Sequence, residues 1–273
     1  MASLKPALNL MRRLPPASLE ENLAAVVDLV PAAVSEELLA RVDQPLVEAT
    51  DTTANRKFLI CDYNRDGDSF RSPWTRAYFP PIEDGEVGYM PSEKVHDLER
   101  DANALFDAYR EQYFGQQHSL SSVYFWDSDD GLFSGCWLIK KHIPSGGRFV
   151  KSGCWDSIHV TEVKQQADRS FVYKLTTTVM LNMEVESPEL GSVSLNGSLN
   201  RQVQQKLAAP KEEFDHVARL GQMIESMETD LRSNLDALYI AKTREVMGTL
   251  RTPSGAAMMG SSAHVAALTA AVK

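Results

Sequence analysis

The sequence predicts an α+β fold in which one antiparallel sheet is covered by a long helix. Three observations lead to this fold class. Residues 1–50 contain short amphipathic runs separated by prolines, residues 120–207 contain five β-type segments joined by short turns, and residues 211–250 keep helical spacing without any proline. Hydrophobic residues make up 43% of the 273 residues and charged residues 24%, which is typical of a globular chain.

The first 50 residues predict three short antiparallel helices. Proline opens or ends a helix, and it recurs at 15–16, 31 and 45. Ser18 and Glu21 have the spacing of a capping box at the start of the second helix. The apolar residues between the prolines share helix faces: Leu4, Leu8, Met11 and Leu14; then Leu19, Leu23, Val26, Val27 and Val30; then Val34, Leu38 and Val42.

Residues 51–119 predict a region of loops and short strands followed by a connecting helix. Turn formers and aromatic residues dominate 51–92, as in CDYNRDGDSFRSPW and FPPIEDGEVGYMPS. Helical spacing returns at 93–114, where the apolar positions are Val95, Leu98, Ala102, Leu105, Phe106 and Tyr109.

Residues 120–207 predict five strands in an antiparallel meander. The strand segments are SSVYFWD, LFSGCWLIKKHI, CWDSIHVTEV, SFVYKLTTTVMLNMEV and SVSLNGSLNRQVQQ. Turns such as SDDG, PSGG and QADR join them, and connections this short favour antiparallel neighbours. One face of such a sheet stays wet unless another element covers it.

Residues 208–250 predict a long crossing helix, and residues 251–273 a separate tail. A helix of roughly 40 residues would be ~60 Å long, so it must cross the whole molecule or reach a partner. Its apolar stripe is the expected cover for the sheet. Pro253, Ser254 and Gly255 break the chain, and the tail that follows is weakly amphipathic and rich in alanine. Gly260, Ser261 and Ser262 weaken any helix there.

Composition excludes several classes of protein. The formal net charge of −9 argues against nucleic acid as a partner. The charge is uneven, because the tail carries +2 and the first 250 residues −11. The apolar stretches are too short to span a bilayer. The three cysteines do not have the spacing of metal ligands, and so small a number of cysteines is typical of a protein in a reducing cytosol. We therefore expect a cytoplasmic protein.

No motif indicates catalysis, a metal or a cofactor. Residues 62–68 resemble the start of an EF-hand loop, but Pro73 stands where a bidentate glutamate is required. The alternative is a turn in which Asp or Asn side chains bond to nearby backbone N–H groups. The six histidines are scattered along the sequence. Catalytic groups can assemble from distant residues, and for this reason alone the hypothesis of an enzyme stays open.

Two basic clusters interrupt the acidic chain. Residues 140–174 carry seven basic residues and three acids, which is typical either of protected strand edges or of a face that meets an acidic protein. Arg232, Lys242 and Arg244 lie in the second half of the long helix, where they suit the helix dipole or a partner.

Longer segments resemble one family, the β subunit of heterodimeric actin capping protein. They include LNLMRRLPP, CDYNRDGDSFRSPW, PPIEDG, SSVYFWD, GCWDSIHV, YKLTTTVML, GSLNRQ and LRSNLDALYIAKTREV, in the family's order over about residues 8–250. The resemblance implies a three-helix unit (1–50), a stalk with a connecting helix (51–119), the sheet (120–207), the crossing helix (208–250) and a C-terminal tentacle (251–273). It also implies a pseudo-symmetric heterodimer with an α subunit of similar fold.

The implied function is capping of the fast-growing, barbed ends of actin filaments, which blocks both addition and loss of subunits without calcium. The alternative is the same subunit serving as the end cap of the actin-like filament of dynactin. Both hypotheses rest on the same motifs, so only co-purification with dynactin can distinguish between them.

By position in the family, basic contacts with actin or with a myotrophin-like inhibitor fall on Arg232, Arg201, Lys140 and Lys141. Asp230 stands where the family has a neighbouring lysine. The tail departs from the family, and Val265, Leu268 and Val272 are the expected apolar stripe for docking on actin.

The resemblance also implies regulators that bind around the stalk through a capping-protein-interaction motif. Arg13, Tyr63 and Arg65 match positions there, whereas Ala77 and Asp97 replace basic residues of vertebrate members. Polyphosphoinositides are further implied partners, and the basic residues of the long helix would have to bind them.

Overall fold

The computed structural model describes residues 4–82, 88–129, 132–145, 150–187 and 191–235. The chain divides into two units, Met1–Met227 and Glu228–Lys273, and every described strand belongs to the first unit. Within the described ranges, no helix combines the length and the apolar character needed to cross a membrane.

Three helices form at the N-terminus, as predicted: α1 (Leu4–Met11), α2 (Leu19–Val27) and α3 (Ala32–Arg41). They pack around a small core of their own. Its buried members are Ala7, Met11, Val26 and Leu38, and the predicted apolar positions other than Val34 pack against them. The helical periodicity therefore identified the inward faces of all three helices.

The capping box predicted at Ser18 is not formed. Ser18 precedes α2, but its side chain accepts no capping hydrogen bond. A 3₁₀ turn at Pro16–Ser18 leads directly into α2 instead, and Leu19 N–H donates to the carbonyl of Pro16. The turn thereby satisfies the N–H group of the first residue of the helix.

Residues 47–79 form two small antiparallel sheets. Strand β1 (Val47–Asp51) pairs with β2 (Arg56–Ile60), and β3 (Arg65–Asp66), β4 (Ser69–Arg71) and β5 (Tyr78–Phe79) form the second sheet. Buried Asp51 joins the two, because its carboxylate accepts hydrogen bonds from Ser72 Oγ and Thr75 Oγ1 at 2.6 Å. Burial opposes its charge, yet these hydrogen bonds hold the pKa of Asp51 below its usual value.

Helix α4 (Glu93–Phe114) occupies the range that the periodicity predicts. The five-stranded meander is also confirmed. Its strands are β6 (Ser119–Asp127), β7 (Phe133–Ile143), β8 (Val150–Gln165), β9 (Phe171–Ser187) and β10 (Gly191–Leu207). They pair antiparallel in the order β10-β9-β8-β7-β6, with one register shift between Val150 and Ser152.

One face of the sheet is covered by two helices and not by the long helix alone. Helix α5 (Phe214–Ser233) packs Val217, Leu220 and Ile224 against this face, as expected. We call the hydrophobic cluster between the sheet and the helices the main core. Helix α4 packs Ala102 and Phe106 into the same core. The expectation of a single cover is corrected, because α4 has an apolar stripe of its own. The predicted continuation of the long helix over 236–250 lies outside the described residues.

The opposite face of the sheet contacts the N-terminal half of the chain. Leu46 and Leu59 pack there against Tyr124, Cys136 and Leu138. The hydroxyl of Tyr124 donates to the carbonyl of Leu59 at 2.6 Å, which fixes β2 over β6. The stalk strands are thus anchored to the sheet by apolar packing and by a buried hydrogen bond.

A buried ion pair joins β4, α4 and β6. Both guanidinium nitrogens of Arg71 donate to the Glu99 carboxylate at 2.7 Å, and the two side chains are 3% and 0% exposed. Glu99 also accepts from Phe125 N–H on β6 at 2.6 Å. One turn later on α4, the amide of Asn103 bonds to both backbone groups of Val123 at 2.9 Å. Side chains of α4 therefore satisfy backbone groups of the edge strand β6.

Candidate interaction surfaces

The loop that resembles an EF-hand is a turn held by its own side chains. Asn64 Oδ1 accepts from Cys61 N–H at 2.9 Å, and its Nδ2 donates to the carbonyl of Arg71 at 2.9 Å. The alternative of a side-chain-to-backbone turn is therefore confirmed for Asn64. Arg65 lies 3.9 Å from an Asp62 oxygen and 3.6 Å from an Asp68 oxygen. Across the described ranges, no three His, Cys, Asp or Glu residues come together as metal ligands.

Lys140 and Lys141 point to opposite faces of the sheet, because successive side chains alternate along a strand. Lys140 is opposite Asp156 on the face that contacts the N-terminal half. Lys141 is opposite Trp155, on the face that carries α4 and α5. Its ammonium donates to the carbonyl of Gln117 at 2.6 Å at an exposed position. The two lysines therefore cannot form one contact surface.

The Lys140 ammonium is used within the chain. It is 11% exposed and donates to Asp156 Oδ1 at 3.1 Å and to the carbonyl of Leu46 at 2.8 Å. Asp156 also accepts from Leu46 N–H at 2.9 Å. Burial opposes the charge of Lys140, but the nearby Asp156 carboxylate outweighs burial and raises the pKa of Lys140. Lys140 therefore holds the linker that follows α3 against the sheet.

Much of the basic cluster at 140–174 is paired with acids on the same strand or on a neighbouring strand. Lys151 lies 3.0 Å from Glu186, and Glu162 is shared by Lys164 and Lys174 at 3.3 Å and 2.5 Å. Side chains paired in this way attract an acidic partner less strongly than the residue count indicates.

Arg201 and Arg232 occupy different elements. Arg201 is opposite Thr177 across β10 and β9, on the face that carries the main core. Arg232 lies in the last turn of α5, where its Nη1 donates to Glu228 Oε2 at 2.9 Å. Asp230 is nearby in the sequence, and its carbonyl accepts from Asn234 at 2.8 Å. The tail positions Val265, Leu268 and Val272 lie outside the described residues.

Two of the three expected regulator-binding residues line one cavity of about 420 Å³. Tyr63 is half-exposed and stacks on Trp126, with ring centroids 5.4 Å apart and planes at 11°. Burial of its other side raises the pKa of Tyr63 to about 12. Arg65 lines the same cavity, and Arg13 does not.

Arg12, which the resemblance did not single out, lines that cavity in place of Arg13. Its Nε donates to Asp43 Oδ2 at 3.1 Å, and Ser198 Oγ donates to the same oxygen at 3.0 Å. Ser198 N–H also donates to the carbonyl of Arg12 at 2.9 Å. The two adjacent arginines are visible in the sequence, but the turn that follows α1 decides which of them faces the cavity.

Known proteins resemble this chain over most of its length. A model of the family described as F-actin capping protein, beta subunit, matches residues 4–247. A Drosophila melanogaster protein named F-actin-capping protein subunit beta is 47% identical over 247 residues, which cover 90% of this chain and 86% of the relative. Proteins of the same name from Caenorhabditis elegans and Dictyostelium discoideum are 46% and 44% identical over 90% and 92% of this chain, and 87% and 90% of theirs.

A solved structure has a similar fold. It is described as the homodimeric actin capping protein alpha subunit from Plasmodium berghei, with a TM-score of 0.51 and 14% identity over 91% of this chain and 96% of that chain. The likeness supports the α+β fold alone. The family match over most of the length, together with relatives above 40% identity, shows that this chain belongs to the F-actin capping protein beta subunit family.

Proposed function

We propose that this chain is the β subunit of a heterodimeric actin capping protein that binds the barbed ends of actin filaments. It blocks addition and loss of subunits there without calcium and acts in the actin cytoskeleton. The family match over residues 4–247 carries this proposal. The relatives that share 44–47% identity all bear the name of the same subunit. Capping depends on shape and charge complementarity at a filament end, and we assign no catalytic step.

The partner is a capping protein α subunit that joins along the sheet. Among the described strands, β10 has β9 on one side and no strand on the other. It is 17 residues long, and the outer N–H of Ser198 donates to the carbonyl of Arg12. A long edge without a neighbouring strand is a template for another strand. The structural neighbour is itself called an α subunit and a homodimer, and its similar fold supports pairing between two chains of this shape.

Contacts with actin are assigned to three basic side chains and to the tail. Arg232 on α5, Lys141 on β7 and Arg201 on β10 present positive charge that suits an acidic surface. Val265, Leu268 and Val272 supply the apolar side of a tail that docks in a groove of actin. Lys140 contributes by holding the linker at Leu46 in place.

Regulators with a capping-protein-interaction motif are assigned to the cavity beside Tyr63 and Arg65, with Arg13 as a further expected contact outside its lining. A myotrophin-like inhibitor would compete with actin at Lys141 and Arg201. Polyphosphoinositides require several cations, and Arg232 is one described basic residue of the long helix that could bind them.

Seeded elongation of pyrene-labelled actin tests the proposal. The full chain is co-expressed with an α subunit, and growth from seeds is followed with and without calcium. We expect growth to stop in both conditions, because the implied mechanism uses no metal. Unchanged growth in the presence of a stable heterodimer would remove the proposed function.

A further inference from the structure

Helices α4 and α5 enclose a groove of about 350 Å³ that the proposed function does not use. The two helices run in the same direction. Lys94, at the start of α4, pairs with Glu213, which directly precedes α5. Tyr113, at the end of α4, donates to Glu225, which lies farther along α5. These two contacts hold the helices together and leave the space between them open.

The groove has an apolar floor and an exposed apolar rim. Phe106 and Trp137 form its buried floor, and Tyr109 stacks on Phe106 with centroids 5.5 Å apart. The rim consists of three large side chains that remain partly in water: Leu105 (40% exposed), Tyr113 (40%) and Phe214 (41%). Exposed apolar side chains gathered around one concave surface indicate an interaction site.

Gly221 keeps the groove open. It lies inside α5 and lines the groove, although glycine is less favourable than alanine inside a helix. Packing does not require it, because an added Cβ would meet Leu105 Cδ2 at 3.6 Å, an ordinary contact. The absent side chain is therefore explained better by access to the groove than by a close approach of the two helices.

The groove is acidic where it is charged. Glu225 is the one charged residue of its lining among the residues that the structure describes. Asp101 is exposed one turn before Leu105 on α4, and it extends the same side of the helix. An occupant with bulky apolar side chains and flanking cations complements this surface, whereas an acidic occupant is repelled.

We propose that the α4–α5 groove binds an amphipathic helix of a partner protein, whose apolar side carries two or three large residues and whose flanks carry lysine or arginine. The stretch from Leu105 to Tyr113 spans ~12 Å of α4, which accommodates about two turns of a bound helix. This site lies on the helix-covered face of the sheet, whereas the Tyr63 cavity adjoins the other face.

The test uses the full chain in complex with its α subunit and a labelled helical probe. The probe is a designed peptide of about 16 residues with leucine on one side and lysine on the flanks, and the matched peptide replaces lysine by glutamate. Fluorescence anisotropy measures binding. We expect the lysine peptide to bind at least about tenfold more tightly than the glutamate peptide.

Two variants locate the site. Gly221→Met fills the groove and should weaken the lysine peptide about tenfold or more, and exposed Asp101→Lys should weaken it without altering the core. The control Leu39→Ala removes an exposed apolar side chain from α3, far along the chain from the groove residues, and should leave binding unchanged. Seeded actin elongation, measured in parallel, reports the proposed capping function separately.

Three outcomes would overturn the proposal. The first is equal binding of both peptides, and the second is binding that Gly221→Met and Asp101→Lys leave unaffected. The third is loss of co-purification with the α subunit in both variants, because the groove would then belong to the heterodimer interface.

Discussion

At the scale of single residues, the pair of Arg71 and Glu99 connects the stalk, α4 and the sheet. Burial alone would raise the pKa of Glu99, but the hydrogen bonds and the positive charge of Arg71 lower it. The carboxylate is therefore charged in the folded chain. A buried charge is tolerated only while its partner is present, so each side chain depends on the other.

Replacing Arg71 by methionine should destabilise the folded heterodimer by about 3–5 kcal/mol, because Glu99 would stay buried without a counter-charge. Denaturant unfolding of the heterodimer measures the loss. Arg76→Gln is the control, since Arg76 pairs with a Glu93 that is largely in water and little change is expected there. Equal effects of the two variants would contradict the assigned role of Arg71.

His216 predicts a pH dependence of stability. Its Nδ1 and the hydroxyl of Tyr173 form a hydrogen bond of 2.8 Å, and Arg219 donates to that same hydroxyl at 2.8 Å. Burial, followed by the charge of Arg219, lowers the pKa of His216 below 6.5. Below pH 6.5 the unfolded chain binds a proton that the folded chain resists, so stability falls as pH decreases.

We expect His216→Gln to flatten the dependence of the unfolding free energy on pH between about pH 5 and 7. Denaturant titrations at several pH values measure this slope. A variant whose slope equals that of the natural chain would show that other groups control stability in this range.

At the scale of secondary structure elements, the two adjacent lysines of β7 have different roles: one stabilises the fold, and the other lies at the surface. Lys140→Met should destabilise the chain by about 3 kcal/mol, because Asp156 would remain buried without its partner. Lys141→Met should leave the unfolding midpoint nearly unchanged and weaken capping instead. Thermal unfolding and seeded elongation, performed on both variants, separate the two roles. A large stability loss in the Lys141 variant would contradict the assignment.

The cavity beside β3 predicts selective loss of regulator binding. Tyr63→Ala removes the ring that stacks on Trp126 and presents a half-exposed face to the cavity. A peptide with a capping-protein-interaction motif should bind at least about tenfold more weakly, while capping without the peptide is retained. Anisotropy of the labelled peptide measures this change. Unaltered peptide binding would place the regulators elsewhere.

Periodicity predicted the elements because helices and strands repeat their inward faces at fixed intervals. It therefore identified α4 and the meander, and it placed Leu38 and Phe106 on inward faces. It could not predict what covers a face, so α4 was missed as the second cover of the sheet. The pair of Arg71 and Glu99 was missed for a related reason, since residues 28 positions apart leave no local pattern.

The sequence placed some of the expected site residues correctly, whereas the environment of others depends on the three-dimensional structure. The resemblance supplied Tyr63 and Arg65, which line one cavity, because long motifs preserve the order of residues along the chain. It could not show that Lys140 is engaged with Asp156, since that depends on strand register. The choice of Arg12 over Arg13 depends on the turn that follows α1, whose conformation the sequence leaves open.

At the scale of the whole molecule, we propose that basic side chains of the first 250 residues and apolar side chains of the tail both contribute to binding. The first 250 residues carry a net charge of −11 and the tail carries +2. Positive charge for binding actin must therefore come from a few basic side chains and from the α subunit. We propose that the apolar positions of the tail contribute more to binding than its charge does.

A chain that ends at Leu250 should form the heterodimer but cap filaments more weakly, because it lacks Val265, Leu268 and Val272. Dissociation from barbed ends should be faster by at least about tenfold. The rate at which capped filaments resume growth measures it. Equal dwell times for the shortened and full chains would contradict the role given to the tail.

The most direct test of capping observes single filaments with the heterodimer present. Fluorescence microscopy follows barbed and pointed ends separately, first in excess actin monomer and then after the monomer is withdrawn. Capping predicts that the barbed end stops both growing and shortening while the pointed end continues to exchange subunits. Continued growth or shortening at barbed ends, in the presence of an intact heterodimer, would contradict the account.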